Sequence, residues 1–160
     1  MIKDKKIVLF DIDYTVFNTD ILKQSDLKTF KVYDEVHEVL NKLKEIADLG
    51  IFSQGDVAFQ HKKLVETNIV DYFHRDHIHI VPEKFSEIAD LIKAYHDHGR
   101  LYLVDDRLPI LQAAKQENPA VRTIWVKRGF FAENQDPIPN FEPDATVLTL
   151  KEIVSLIAQE

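Results

Sequence analysis

The sequence predicts an α/β fold in which helices cover both faces of a mostly parallel sheet. Three observations carry that expectation. Short apolar runs alternate with longer segments of helical periodicity along the chain. The run Ile7-Val8-Leu9-Phe10 is a block of large hydrophobes, the pattern of a strand buried on both faces. Leu101-Tyr102-Leu103-Val104 repeats it, and both runs stop at acids, Asp11 and Asp13 in one case and Asp105-Asp106 in the other.

In chain order, Lys6 to Ile12 reads as the first strand and Tyr14 to Asp20 as an irregular turn with Asn18, Thr19 and Asp20 available as caps. Ile21 to Ala47 reads as helical, because Val32, Val36, Val39, Leu40, Leu43 and Ile46 recur at three- and four-residue spacing. Gly50 is expected to end that helix, and Ile51-Phe52-Ser53 to form a short strand. A helix follows from about Asp56 to Thr67, then a strand from His77 to Val81. Lys84 to His98 is helical, with Gly99 as its expected stop. Leu101 to Val104 is a strand, Leu108 to Gln116 a helix, Val121 to Val126 a strand and Ala145 to Val147 a short strand. The Gly129 to Pro143 segment reads as a surface loop, and Leu150 to Ala158 as a closing helix. The pattern specifies a Rossmann-like three-layer sandwich in one domain, 1–160.

Composition narrows the function classes. A chain of 160 residues with 45% hydrophobic content can bury a core of its own. A net charge of −7 opposes general binding to phosphate backbones, so nucleic acid is not an expected partner. Without cysteine there is no thiol catalysis, disulfide or Cys-based zinc site. No stretch is long enough to span a bilayer, and the first apolar run is too short and too acidic at its end for a signal peptide, so a cytoplasmic location is expected.

Four features stand in order at strand ends or helix starts: Asp11-x-Asp13-x-Thr15, Ser53, Lys84 and Asp105-Asp106. In a parallel sheet they would meet at the carboxyl edge of the strands, where ligands bind. Clustered carboxylates repel one another, and a hard divalent cation such as Mg²⁺ relieves that repulsion. Lys84 reads as an ordinary first-turn lysine or as a functional cation, and the second is preferred because a cation at a helix start opposes the helix dipole and asks for a reason. Metal, ammonium and hydroxyl around carboxylates suit a phosphoryl group.

These residues resemble the four motifs of the haloacid dehalogenase-like hydrolases, in order, from Val8 to Val147. The resemblance implies a phosphatase in which Asp11 is the nucleophile and Asp13 the general acid and base. It implies that Asp11, the backbone carbonyl of Asp13, and Asp106 bind Mg²⁺, with Asp105 supporting through water or Lys84. Ser53 would bond the transferring phosphoryl group. Dehalogenases of the family lack a carboxylate at the position of Asp13, which favours a phosphate ester here. Tyr14 departs from the family pattern, in which Gly is common. Phosphotransfer to another acceptor uses the same residues and is the first alternative. A receiver-like signalling domain is the second, disfavoured because its acidic pair comes first in the chain.

Inserts after the first or second motif form lids in this family. About 37 residues separate Thr15 from Ser53 and about 30 separate Ser53 from Lys84, so only a small helical insert, about 16–49, is expected. The expected site is open and accepts a phosphorylated small molecule or something larger. His77 and His79 share a strand face but lack a third ligand at clear spacing, so an exposed strand is the preferred reading. Trp125 reads as core. Arg107, Lys127 and Arg128 read equally as substrate contacts or surface charge, and Phe130-Phe131 as a substrate loop or a packing lid.

Overall fold

The computed structural model describes residues 5–160. Its centre is one six-stranded parallel sheet: β1 (Lys6–Phe10), β2 (Asp48–Gln54), β3 (Ile78–Val81), β4 (Arg100–Asp105), β5 (Arg122–Val126) and β6 (Ala145–Val147), in the order β3-β2-β1-β4-β5-β6. The two halves of the sheet diverge between β1 and β4, which pair in register from Lys6 with Arg100 to Phe10 with Val104. That point, at the carboxyl ends of both strands, is the crevice of doubly wound sheets.

Strand alternation assigns the two cores. Val8, Phe10, Ile51, Tyr102 and Val104 face one layer, where they meet α2 (Val36–Leu43), α3 (Val57–Glu66) and α7 (Ile153–Ala158). Ile7, Leu9, Phe52, Leu101 and Leu103 face the other, against α4 (Lys84–Ala94) and α5 (Leu108–Glu117). Every residue of the run Ile7–Phe10 is therefore buried, as a strand covered on both faces requires. Asp56 caps α3 by accepting the Phe59 N–H at 2.9 Å, a contact worth about 1 kcal/mol. No helix among the described residues is long and apolar enough to cross a membrane.

The structure corrects four expectations. The segment from Ile21 to Ala47 is not one helix. It holds α1 (Thr19–Gln24) and α2, separated by a turn in which Asp26 and Leu27 take φ of 55° and 61°, and an extended piece in which Val32 bridges Phe17. The apolar stripe was real, because Val32, Val36, Val39, Leu40 and Leu43 all enter one core, but an extended segment and a helix supply it together. Gly50 does not stop a helix. It lies inside β2, where a Cβ would collide with the His77 backbone and the Leu9 side chain, so the glycine permits close approach. The Lys84 helix ends at Ala94, and Gly99 follows a separate turn closed by the His98 N–H on the Tyr95 carbonyl at 3.1 Å. The segment after Gly129 contains a short helix, α6 (Phe130–Glu133).

Candidate active site

Asp11 continues the β1–β4 ladder, its N–H donating to the Val104 carbonyl at 2.9 Å, which sets it beside the end of β4. The chain then turns sharply: the N–H groups of Thr15, Val16 and Phe17 all reach the Ile12 carbonyl. Tyr14 sits inside this turn with φ of 63°, a left-handed backbone that glycine enters freely and a bulky residue rarely takes. Its hydroxyl donates to Asp20 at 3.0 Å and its ring packs on Gly129.

Lys84 is the first residue of α4 and is buried. Its Nζ lies 2.6 Å from Asp105 and 3.0 Å from Asp11. The unfavourable position of a cation at a helix start is thus offset by two carboxylates. The Lys84 N–H is satisfied by Gln54 Oε1 at 3.0 Å, so β2 also fixes where the helix begins. Asp105 accepts the Arg107 N–H at 2.9 Å, and the Trp125 indole donates to the Asp106 carbonyl at 2.9 Å. Trp125 is half-buried and braces the acidic pair as well as packing.

Asp11, Asp105 and Asp106 each offer an oxygen, and the three lie within 4.8 Å of one another. Burial raises the Asp11 carboxyl to about 6 against the pull of Lys84. Burial, with the like charges of Asp11 and Asp105, raises Asp106 to about 11. Burial opposes the charge on Lys84, but Asp105 and Asp11 outweigh it and hold the group near 12. One ammonium thus faces three carboxylates. Asp106 Oδ2 is buried with no hydrogen-bond partner. An all-oxygen donor set with surplus negative charge and an unpartnered carboxylate oxygen fits a hard divalent cation.

Asp13 stands apart from that cluster. Its carboxylate accepts from Lys63 at 2.7 Å, Thr19 at 2.9 Å and Gln60 at 3.1 Å. Gln60 also donates to Ser53 Oγ at 2.8 Å. Ser53 is fully buried and reaches the site through Gln60. A cavity of about 60 Å³ is lined by Asp11, Asp13, Tyr14, Gln54, Lys84, Asp106, Arg107 and Phe131.

Sequence reasoning missed Lys63 and Gln60. Their signal is the face Gln60, Lys63, Leu64, Thr67 of α3. That spacing normally carries apolar residues, yet three of the four are polar and all are buried. Polar groups on a buried stripe need internal partners: Asp13 and Ser53 supply them for Lys63 and Gln60, and the Lys63 carbonyl accepts from Thr67.

The remaining candidates separate cleanly. Arg128 pairs with Glu35 at 2.6 Å, donates to the Thr15 carbonyl at 2.6 Å and stacks on Tyr33, so it braces the first-motif turn. Arg107 lines the cavity and lies 3.9 Å over the Phe131 ring. Lys127 lies over the Trp125 ring. His77 and His79 are half-buried, not exposed, and both meet the Tyr95 hydroxyl, at 2.9 and 2.6 Å.

No protein-family model matches the chain, and no curated protein matches it at a significant level. Solved structures do. A chain named as a haloacid dehalogenase-like hydrolase from Burkholderia xenovorans superposes with a TM-score of 0.80 at 20% identity, covering 97% of each chain. The HAD-hydrolase YfnB from Bacillus subtilis, bound to magnesium, gives 0.76 at 11% identity over 97% of this chain and 99% of that one. The defluorinating L-2-haloacid dehalogenase Rha0230 gives 0.68 at 12% identity over 96% and 95%. The structural neighbours are thus haloacid dehalogenase-superfamily hydrolases, and the chain has their α/β Rossmann-like fold over nearly its whole length.

Proposed function

We propose that the protein is a Mg²⁺-dependent phosphatase of the haloacid dehalogenase-like type, hydrolysing a phosphate monoester through an aspartyl-phosphate on Asp11. The observation that carries this reading is buried Lys84 bridging Asp11 and Asp105, beside the unpartnered oxygen of Asp106. Asp11, Asp106 and the Asp13 carbonyl would hold the ion, with Asp105 behind them. When bound, Mg²⁺ supplies positive charge for the phosphoryl oxygens.

Lys84 engages Oδ1 of Asp11, leaving Oδ2 as the attacking atom. Oδ2 bonds to phosphorus, the ester P–O bond breaks, and the leaving oxygen takes a proton from Asp13. Water then gives a proton to the Asp13 carboxylate while its oxygen attacks phosphorus. Phosphate departs and the Asp11 carboxylate re-forms. Lys63, Thr19 and Gln60 hold Asp13 at the cavity for both transfers. Ser53 Oγ accepts from Gln60, which leaves its O–H to donate to a phosphoryl oxygen. Asp13 also favours a phosphate ester over an organic halide, although one structural neighbour is a dehalogenase.

The chain is read as one domain, 1–160, with about 16–49 as a small insert in place of a large lid, which leaves the site open to a phosphorylated small molecule or a larger one. The test is hydrolysis of p-nitrophenyl phosphate with Mg²⁺, with EDTA, and by Asp11→Asn. The reading requires turnover that depends on Mg²⁺ and disappears in the variant. Turnover retained in EDTA would contradict the metal, and turnover retained in the variant would contradict the nucleophile.

A further inference from the structure

Ten phenylalanines occur in the chain, and among the described residues the exposed ones are Phe85, Phe130 and Phe131. All of them line one groove of about 340 Å³. Phe131 and Arg107 line both this groove and the carboxylate cavity, so the two spaces are adjacent and share a wall.

The groove is fixed to the chemistry by the chain itself. Lys84 turns inward to Asp11 and Asp105, and its neighbour Phe85 lines the groove. Asp106 belongs to the acidic cluster, and its neighbour Arg107 lines the groove. Phe131 is held between the Arg107 guanidinium at 3.9 Å and the edge-on ring of Tyr14 at 6.1 Å. Phe85 and Phe130 are left 52% and 59% exposed, a cost in water that an aromatic ligand would remove.

We infer that this groove receives the leaving group of the substrate, and that the leaving group is an alcohol carrying an aromatic ring. The inference rests on the phosphatase reading above. A sugar would need several free donors and acceptors. The two amides at the groove edge are partly committed to backbone: Asn134 donates to the Phe130 carbonyl at 2.8 Å and Gln135 accepts the Leu108 N–H at 3.1 Å. The volume suits a small organic ligand. Arg107 lines both spaces, so one cation borders the carboxylate cavity and the aromatic groove.

The test compares 2-phenylethyl phosphate with ethyl phosphate, whose leaving alcohols differ little in acidity, so a difference reports binding of the ring. The expected kcat/KM preference for the phenyl ester is about tenfold, and the Phe85→Ala/Phe130→Ala double variant should bring that ratio close to one. Equal kcat/KM for the two esters in the wild type, or an unchanged preference in the variant, overturns the groove assignment and leaves the phosphatase reading standing. The same pair of ligands as phosphonates, titrated by calorimetry in the presence of Mg²⁺, reads the groove without turnover. Ring-selective phosphonate binding with no ester hydrolysis would keep the groove and refute the phosphatase. No ring selectivity in either assay refutes the groove.

Discussion

Lys63 Nζ stands 2.7 Å from the Asp13 carboxylate, although 50 positions separate the two in sequence. The ammonium is buried and sits 4.9 Å from the Phe59 ring centre and 5.2 Å from that of Phe17. A cation in this position orients Asp13 and is itself fixed by aromatic faces. Lys63→Met keeps the apolar stem and removes the charge. It should lower kcat about tenfold or more on an alkyl phosphate, whose leaving oxygen needs a proton. On p-nitrophenyl phosphate, whose leaving group departs unprotonated, the first step should change far less. Equal losses in kcat/KM, which reports the first step alone, would show that Lys63 does not act through proton donation by Asp13.

Lys84 bridges two buried carboxylates, so its removal exposes their repulsion. Lys84→Met should destabilise the metal-free protein by roughly 3–5 kcal/mol in urea unfolding, the usual cost of breaking a buried pair. Added Mg²⁺ should recover part of that loss. A variant as stable as the wild type would mean that the carboxylates do not depend on the ammonium.

Asp106 carries the opposite expectation. Asp106→Asn removes one of three clustered acids, so the metal-free protein should melt at a higher temperature than the wild type. The wild type should gain melting temperature on adding Mg²⁺, and the variant should gain little. A full Mg²⁺ shift in the variant would exclude Asp106 as a ligand.

The frame of the site was legible because its signals are local. Asp11 and Asp13 end one buried run and Asp105-Asp106 another, and the crossover rule brings those ends together. Lys84 was legible because a cation at a helix start has to be explained. Lys63 and Gln60 were not, since polar residues at the spacing of a buried stripe read as solvent-facing until their internal partners are known. The break between α1 and α2 was hidden for a related reason. Val32 keeps the helical spacing but reaches the core from an extended segment paired with Phe17, and non-glycine residues Asp26 and Leu27 make the left-handed turn. Gly50 misled because close backbone approach and helix termination both select glycine.

Gly129 has φ of +84° and lies where a Cβ would strike the Tyr14 ring. Gly129→Ala should cost about 1–3 kcal/mol through both strain and overpacking. In a Tyr14→Gly background, which itself loses a buried ring, Gly129→Ala should cost less than in the wild type, because the ring its Cβ would strike is gone. Additive losses would place the strain of Gly129 elsewhere.

His79 is half-buried against the Tyr95 hydroxyl, and burial followed by the neighbouring His77 holds its pKa below the ordinary 6.5. The folded state therefore binds a proton less readily than the unfolded chain. Its contribution to stability is complete above pH 6.5 and is lost as pH falls through the folded value. His79→Gln keeps a polar partner near Tyr95 and does not titrate there. Across that window the wild type should lose more stability than the variant, and parallel pH profiles would contradict the shift.

In the proposed mechanism Asp11 itself bonds to phosphorus. The most direct measurement is borohydride reduction of the enzyme during turnover of p-nitrophenyl phosphate with Mg²⁺, followed by mass mapping of the peptide containing Asp11. An acyl phosphate there is reduced to an alcohol, so conversion of Asp11 to homoserine is expected only when substrate is present. Steady hydrolysis with Asp11 unmodified, or modification at another carboxylate, would contradict it.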